Sequence, residues 1–401
     1  MTSQSRPENS TVGVPARLAA LRLLDAVLRQ GQRLDVVAGN ATRALAAEDC
    51  GLAIAITGEV LRRLPDLDAL IDSATAQPLP LDAKARTVLR IALAQALRLE
   101  TPPHAAISTV LPLVTGGPKR LVHGVFGTLI RREARLPEVL TLPPAIVARW
   151  AHWGYAMLGE AARSLAEPPP VDIRWKDGRC ETLARGTDVT ALPGYGEGEF
   201  WVQNRSAQVP ADLLGPGNGR TVLDLCAAPG GKTMQLAAAG WRVIAVESNA
   251  KRIERLRANL ARTRLNAELV HADVMTWQPS EPVDAILLDA PCSATGIFAR
   301  HPDVLHRIGP RDIAALSALQ SRMLARALGW LSPRGRLVYA TCSLEREEGE
   351  AVVERFAGQV VPVEAGAVAP DNSVGREGWV RLLPGPGQDG FFIALLRSET
   401  G

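Results

Sequence analysis

Two periodicities divide the chain. From Pro15, apolar residues recur at helical spacing: Leu18, Leu21, Leu24 and Leu28 share one side, with Arg22, Asp25 and Arg29 on the others. The same period runs through Asp49–Leu64, through the segment after Pro65 that holds Leu67, Leu70 and Ile71, and through Ala83–Leu99, which Pro102-Pro103 closes. Further helices are predicted over Ala105–Val114 and Lys119–Arg132. No alternating pattern interrupts this stretch, so residues 15–137 are expected to form one all-helical domain. Residues 138–170 form a connector in which Trp150, Trp153 and Tyr155 lie at helical spacing, as packing residues do. Met1 to about Val14 is polar and is expected to be a disordered leader.

The period changes at Val171. Val171–Trp175 alternates, Lys176-Asp177-Gly178-Arg179 is a turn, and Glu199–Val202 is a strand leading into a helix, so residues 171–215 read as a small β-rich lead-in. Over 216–398, strands alternate with helices. The strands are Thr221–Leu225, Arg242–Glu247, Ala267–His271, Asp284–Asp289, Gly335–Ala340 and Phe391–Arg397; the helices are Thr233–Ala239, Lys251–Thr263, Pro310–Leu331 and Glu345–Phe356. This order predicts a Rossmann-like α/β domain with a mostly parallel sheet and helices on both faces. Such sheets bind ligands beyond the carboxyl ends of their strands.

Composition narrows the classes. A chain of 401 residues has room for two or three domains. Its 47% hydrophobic and 22% charged content is that of soluble globular protein, and a net charge of +3 permits an anionic partner without demanding one. Cys50, Cys180, Cys226, Cys292 and Cys342 are scattered and form no C-x-x-C pair, which argues against a disulfide framework and against a metal site. The polar start and the lack of any apolar run near ~18 residues argue against secretion and membrane insertion. A cytoplasmic, reducing setting is expected.

The chemistry gathers at the predicted strand ends. Thr221–Lys232, TVLDLCAAPGGK, is a strand–turn–helix junction. It nearly meets the phosphate-loop pattern G-x-x-x-x-G-K-[ST], but Cys226 stands where the first glycine belongs. Glu247 ends the second strand at the distance where dinucleotide folds hold a ribose. Asp273, Asp289-Ala290-Pro291-Cys292-Ser293 and Thr341-Cys342-Ser343 follow the later strands. Singly each has a dull explanation: Asp273 caps a turn, Cys226 fills a tight corner, and each remaining cysteine is a buried small hydrophobe. Together they favour a ligand with adenosine but without phosphates, and S-adenosylmethionine fits. Two thiols in near-matching settings, Pro-Cys-Ser and Thr-Cys-Ser, suit methylation at carbon 5 of a pyrimidine. That carbon becomes nucleophilic enough only after a thiolate adds at carbon 6, and a proton must then leave it.

LDLCAAPGGK, LLDAPCSATG with Arg300–Asp303 (RHPD), and LVYATCSLEREEG together resemble the RNA (cytosine-5) methyltransferase family, in its branch acting on 16S ribosomal RNA. PPHAAISTVLPLV and PKRLVHGVFGTLIRR resemble the NusB-like RNA-binding domain that precedes the catalytic domain in that branch. The resemblance implies a class I methyltransferase that uses S-adenosylmethionine. Cys226, Ala227, Ala228, Pro229, Gly230, Gly231 and Lys232 would wrap the methionine end, Glu247 the ribose and Asp273 the adenine side. Asp289 would lie between cofactor and base, Cys342 would be the nucleophile, and Cys292 would assist proton removal from carbon 5. Three departures stand out: Glu247 and Asn204 replace the family's usual Asp, and His123 replaces a frequent Asn. The lead-in is also short, so a small RNA-binding subdomain is expected to be trimmed.

Arg120, Arg131, Arg132 and Arg135 make a basic end on the last helix of the first domain. A solvated face is the plain reading, and the resemblance makes Arg120, Arg131 and Arg132 candidates for contacting RNA. The chain is expected to act as a monomer on ribosomal RNA. Transfer RNA as substrate, a NusB-like assembly factor with a dead catalytic half, and a phosphate-loop NTPase are the competing readings. Cys292, Cys342 and Asp289 oppose the second of these, and Cys226 opposes the third.

Overall fold

The computed structural model describes residues 13–361, 373–376 and 378–398. The leader expected up to Val14 lies outside the described residues as far as position 12, and Val14 itself opens the first helix. Helices α1 (Val14–Leu28), α2 (Leu34–Thr42), α3 (Ala47–Arg62), α4 (Leu64–Ser73), α5 (Lys84–Arg98), α6 (Pro103–Val110), α7 (Gly116–Arg131), α8 (Pro144–Trp150) and α9 (Tyr155–Leu165) follow in turn. Strands β1 (Val171–Trp175), β2 (Cys180–Leu183) and β3 (Phe200–Val202) come next, then α10 (Arg205–Asp212). The remainder runs β4 (Thr221–Leu225), α11 (Gly231–Ala238), β5 (Arg242–Glu247), α12 (Ala250–Thr263), β6 (Glu268–His271), β7 (Val283–Asp289), α13 (Val304–Arg307), α14 (Pro310–Leu328), β8 (Leu331–Thr341) and α15 (Glu350–Val353). It closes with β9 (Val360–Val361), β10 (Ser373–Arg376), β11 (Trp379–Leu382) and β12 (Phe391–Arg397).

Two compact units emerge. The first comprises residues up to His152 with 165–167 and 301–308. Its core is built on α5, where Val88, Leu89, Ile91, Ala92 and Leu93 are all buried, with Leu24, Ile56, Val60, Val122 and Phe126 packed around them. A helix buried nearly all round needs its polar residues paired. Arg90 meets both oxygens of Asp68 at 2.8 Å, and Arg86 bonds Asp68 and Asp72. Helix α2 escapes the periodicity argument, because Val36 is 64% exposed and the helix lacks a continuous apolar stripe. Pro103, expected to close the preceding helix, opens α6 instead, as proline at a first helical turn can.

The second unit holds two sheets. The small one has the order β2-β1-β3 and is antiparallel. The large one runs β10-β11-β12-β8-β7-β4-β5-β6, parallel from β8 to β6 and antiparallel beyond β8. Its central strands carry near-continuous apolar runs, as strands covered on both faces must. Apolar residues pack on each side of it, with Leu236, Leu256 and Ile393 in one layer and Leu324, Tyr339 and Phe392 in the other.

Two expected helices end differently. Helix α14 stops at Leu328, and Leu331, expected to be helical, starts β8. The single helix expected over Glu345–Phe356 is a 3₁₀ turn at Arg346–Glu348, the short α15 and a second 3₁₀ segment. The chain turns at Gly349 (φ −122°, ψ −92°), because Glu348 and Glu350 are drawn inward to bury their carboxylates. Glu350 receives a two-pronged ion pair from buried Arg381 of β11, at 2.6 and 3.2 Å, and Arg381 also donates to the Ser343 carbonyl. Arg381→Met is therefore expected to lower the unfolding free energy by about 3–5 kcal/mol, because it strands a buried carboxylate. In urea denaturation, the double variant with Glu350→Leu should recover most of that loss.

Candidate active site

Strand β4 lies between β5 and β7, and the turn that follows it sits at the carboxyl edge of the sheet. Cys226 has φ +64°, so the backbone takes the left-handed form although the residue is not glycine. Gly230 has φ +106°, and a Cβ there would sit 2.3 Å from Leu256 Cδ1, so only glycine fits. Helix α11 begins at the next residue, which leaves the unbonded N–H groups of its first turn at this edge. Glu247, at the end of β5, is 2% exposed. It accepts the Ala228 N–H at 3.3 Å and the Asn249 N–H at 2.9 Å, and Arg252 lies 3.3 Å from it. The longer side chain thus ties the β4 turn to the β5 turn.

Lys232 Nζ meets Asp289 Oδ2 at 2.8 Å and lies 5.5 Å from the centre of the Phe391 ring. Burial works to lower the lysine's pKa, but Asp289 and the Cys342 sulfur outweigh it, and the ammonium is held above its ordinary value. Cys292 Sγ and Cys342 Sγ are 3.4 Å apart. Cys292 is pushed well up, first by its hydrogen bond to Cys342, then by burial and by the charges of Cys342 and Glu348. Burial likewise pushes the Cys226 thiol up, with Asp289 and Glu247 adding to it, so Cys226 stays protonated as a packing residue. Close contact between backbones locks the two thiol loops. Gly296 N–H donates to the Cys342 carbonyl at 2.9 Å, Gly390 N–H donates to the Gly296 carbonyl at 2.8 Å, and a Cβ on Gly296 would sit 2.1 Å from the Gly390 carbonyl oxygen.

Residues 211–397 match the family model described as 16S rRNA methyltransferase RsmB/F, and residues 14–120 match the NusB family model. Ribosomal RNA small subunit methyltransferase B of Xanthomonas campestris pv. campestris is 34% identical over 97% of this chain and 98% of its own length. The protein of the same description from Klebsiella pneumoniae is 33% identical over 95% and 97%. The chain belongs to the 16S rRNA methyltransferase RsmB/F family. As a member of the RsmB/F family it is an S-adenosylmethionine-dependent RNA methyltransferase. Among solved structures, that of PH0851 shares the fold, covering 99% of this chain and 100% of its own at TM-score 0.75 and 22% identity. A methyltransferase homolog protein from Pyrococcus horikoshii is 28% identical at TM-score 0.51, over 64% of this chain and 100% of its own.

Measured against the RsmB/F expectations, the structure brings Cys226–Lys232, Glu247, Asp289, Cys292 and Cys342 to one sheet edge. Asp273 lies just beyond β6 at that edge and is exposed, and its Oδ1 accepts the Met275 N–H at 2.8 Å, as a turn cap does. Asn204 caps α10 through the Ser206 N–H at 2.9 Å and donates to Asp172 Oδ2 at 3.0 Å. An aspartate there would face that carboxylate without a proton to give, which accounts for the amide. Arg120, His123 and Arg131 are exposed on α7, and Arg132 is exposed just past its end.

Asp224 escaped the sequence reading, although an acid inside an apolar central strand was its signal. It is fully buried, one oxygen is taken by the Thr233 hydroxyl, and among the described residues Oδ1 has no partner. A buried, unsatisfied acceptor beside a glycine turn and a helix N-terminus fits the ammonium of S-adenosylmethionine. Burial raises the Asp224 pKa from its ordinary 3.8 to about 7. A raised folded-state value means its contribution to stability is complete below about pH 3.8 and is lost as the pH climbs to about 7. A cationic ligand at Oδ1 favours the ionised form. Affinity for S-adenosylmethionine, followed by calorimetry, should therefore weaken below pH 7 by about tenfold per unit, and Asp224→Asn should flatten that dependence.

Proposed function

We propose that the protein forms 5-methylcytosine in 16S ribosomal RNA through a covalent bond between Cys342 Sγ and carbon 6 of the target cytosine. The observation that carries this reading is the pair of sulfurs 3.4 Å apart beside an ion-paired lysine, at the edge where the cofactor turn lies. Cofactor and base are both served by side chains of the methyltransferase unit of one chain, which suits a monomer working in the cytoplasm. No helix among the described residues is long and apolar enough to cross a membrane.

The steps follow from the charges. The attacking form of a cysteine is its thiolate, and Lys232 is the cation whose charge reaches the Cys342 sulfur. Attack at carbon 6 builds negative charge on the ring, which is relieved as N3 takes a proton from solvent, to be returned when the adduct collapses, and the N3–H donates a hydrogen bond to Asp289. Bound S-adenosylmethionine supplies the methyl group to carbon 5. In the free enzyme Cys292 keeps its proton chiefly because the neighbouring Cys342 sulfur accepts it. Once Cys342 is a thioether that hold is gone, so Cys292 ionises more readily and becomes a base for the carbon 5 proton. Removing that proton re-forms the ring double bond and expels Cys342 as thiolate, to which Cys292 can again donate. Glu247, Asp224 and the Cys226–Lys232 turn hold the cofactor, with Asp273 on the adenine side. The target base must leave its stack, so an unpaired nucleotide is the expected substrate.

The helical unit supplies phosphate contacts in this reading. Arg120 and Arg131 stand about three helical turns apart on α7 and so share a face, with exposed His123 and Gly124 between them and Arg132 to one side.

Cys342→Ala is expected to abolish methyl transfer to ribosomal RNA while binding S-adenosylmethionine normally. Cys292→Ala should accumulate a protein–RNA adduct that survives denaturing electrophoresis. Normal methylation by both variants, read by bisulfite sequencing, overturns the two-thiol mechanism. Arg120→Glu with Arg131→Glu should weaken RNA binding across sequences and flatten its salt dependence by roughly two contacts' worth of slope, with cofactor affinity unchanged.

A further inference from the structure

Beneath the two thiols lies a buried polar cluster centred on Glu348, which is 0% exposed. Its Oε1 accepts the Ser293 N–H at 2.9 Å and Gln320 Nε2 at 3.0 Å. Its Oε2 accepts the Ser343 hydroxyl at 2.6 Å and also the Ser293 hydroxyl. Ser293 directly follows Cys292 and Ser343 directly follows Cys342, and their hydroxyls are 3.1 Å apart. Gln320 extends the grip by donating to the Pro291 carbonyl at 2.9 Å, on the other side of Cys292. The carboxylate's own main-chain carbonyl accepts the Tyr339 hydroxyl at 2.7 Å, so the residue is anchored at both ends.

We propose that Glu348 is a positioning residue for methyl transfer, clamping the Pro-Cys-Ser and Thr-Cys-Ser loops on one carboxylate and so setting the separation of the Cys292 and Cys342 sulfurs. The inference rests on the two-thiol reading of the site. Burying a carboxylate is costly, and an apolar plug would hold two loops together at less expense. What an apolar plug lacks is direction. Two hydroxyls and an N–H converging on two oxygens fix the orientation of the residue after each cysteine, and with it the path along which each thiol is presented. The charge has a second effect, because it lies close enough to Cys292 to oppose that thiol's ionisation. The clamp therefore adds to the effects of Cys342 and of burial that keep the proton on Cys292.

Glu348→Gln keeps the shape but turns one acceptor into a donor facing other donors. In this variant kcat for methyl transfer should fall about 100-fold, the scale of a 1 Å misplacement, with the KM for S-adenosylmethionine within about twofold of the wild type. Phenylarsine oxide, which bridges two thiols only when they are adjacent, should bind the wild type at one equivalent and the variant at least about tenfold more weakly, as a lost bidentate geometry demands. In a Cys342→Ala background, adding Glu348→Gln should shift the reaction of Cys292 with a maleimide to lower pH, a change that loss of stability alone does not produce. Unaltered turnover, or lost turnover with unaltered arsenical binding, overturns the inference. Should Glu348→Gln fail to melt cooperatively, Ser343→Ala decides the matter, since it removes one tie and should show the same paired losses to a smaller degree. If instead Cys292→Ala turns over normally without adduct, the two-thiol reading fails, while arsenical binding still reports whether Glu348 holds the sulfurs together.

Discussion

Everything reactive in this protein depends on the parallel pairing of β7 with β8, which sets Asp289 opposite Ala340. Cys292 lies three residues past the first and Cys342 two past the second. Both chains leave the sheet side by side, turn inward at once and bring two sulfurs into contact. A slip of one residue would reverse the faces of β8 and carry the thiols apart. The interior of both strands is apolar for that reason: burial on both faces leaves one register that keeps every aliphatic side chain out of water.

Charge is distributed around that register with equal economy. Lys232 is paired with Asp289 and its charge reaches the Cys342 sulfur, while Glu247 holds the Ala228 N–H and Asp224 the Thr233 hydroxyl around the same turn. The site is thus richer in carboxylates than in cations. In the proposed reading, a sulfonium ligand held there is favoured over the neutral thioether it becomes after losing its methyl group. Product release gains from the same electrostatics that favoured binding.

The sequence made the sheet legible because its strands are short apolar runs ending in chemistry, and the turns between them carry glycine and proline. It made the first domain legible because α5 and its neighbours repeat at 3.6 residues. Helix α2 was not legible, since an exposed helix without an apolar stripe leaves no periodic trace. The break after Glu345 was hidden too: Glu347, Glu348 and Glu350 are good helix formers, and only the pull of Ser293, Ser343 and Arg381 on the latter two carboxylates overrides propensity. Cys342, Cys292, Asp289 and Glu247 stood out by their place at strand ends. Asp224 and Glu348 did not, because what distinguishes them is burial and the direction of their partners, and neither is written in local sequence.

The crossing of Gly296 with Gly390 has a consequence for anyone wishing to retarget this enzyme. The two backbones touch, and the Gly296 N–H also holds the Cys342 carbonyl. Neither loop can be randomised or swapped alone, because any side chain at Gly296 must displace the other strand of the crossing. A library that aims at new RNA substrates has to transplant the segments around 294–297 and 388–390 as one block, or leave both untouched and vary the protein elsewhere.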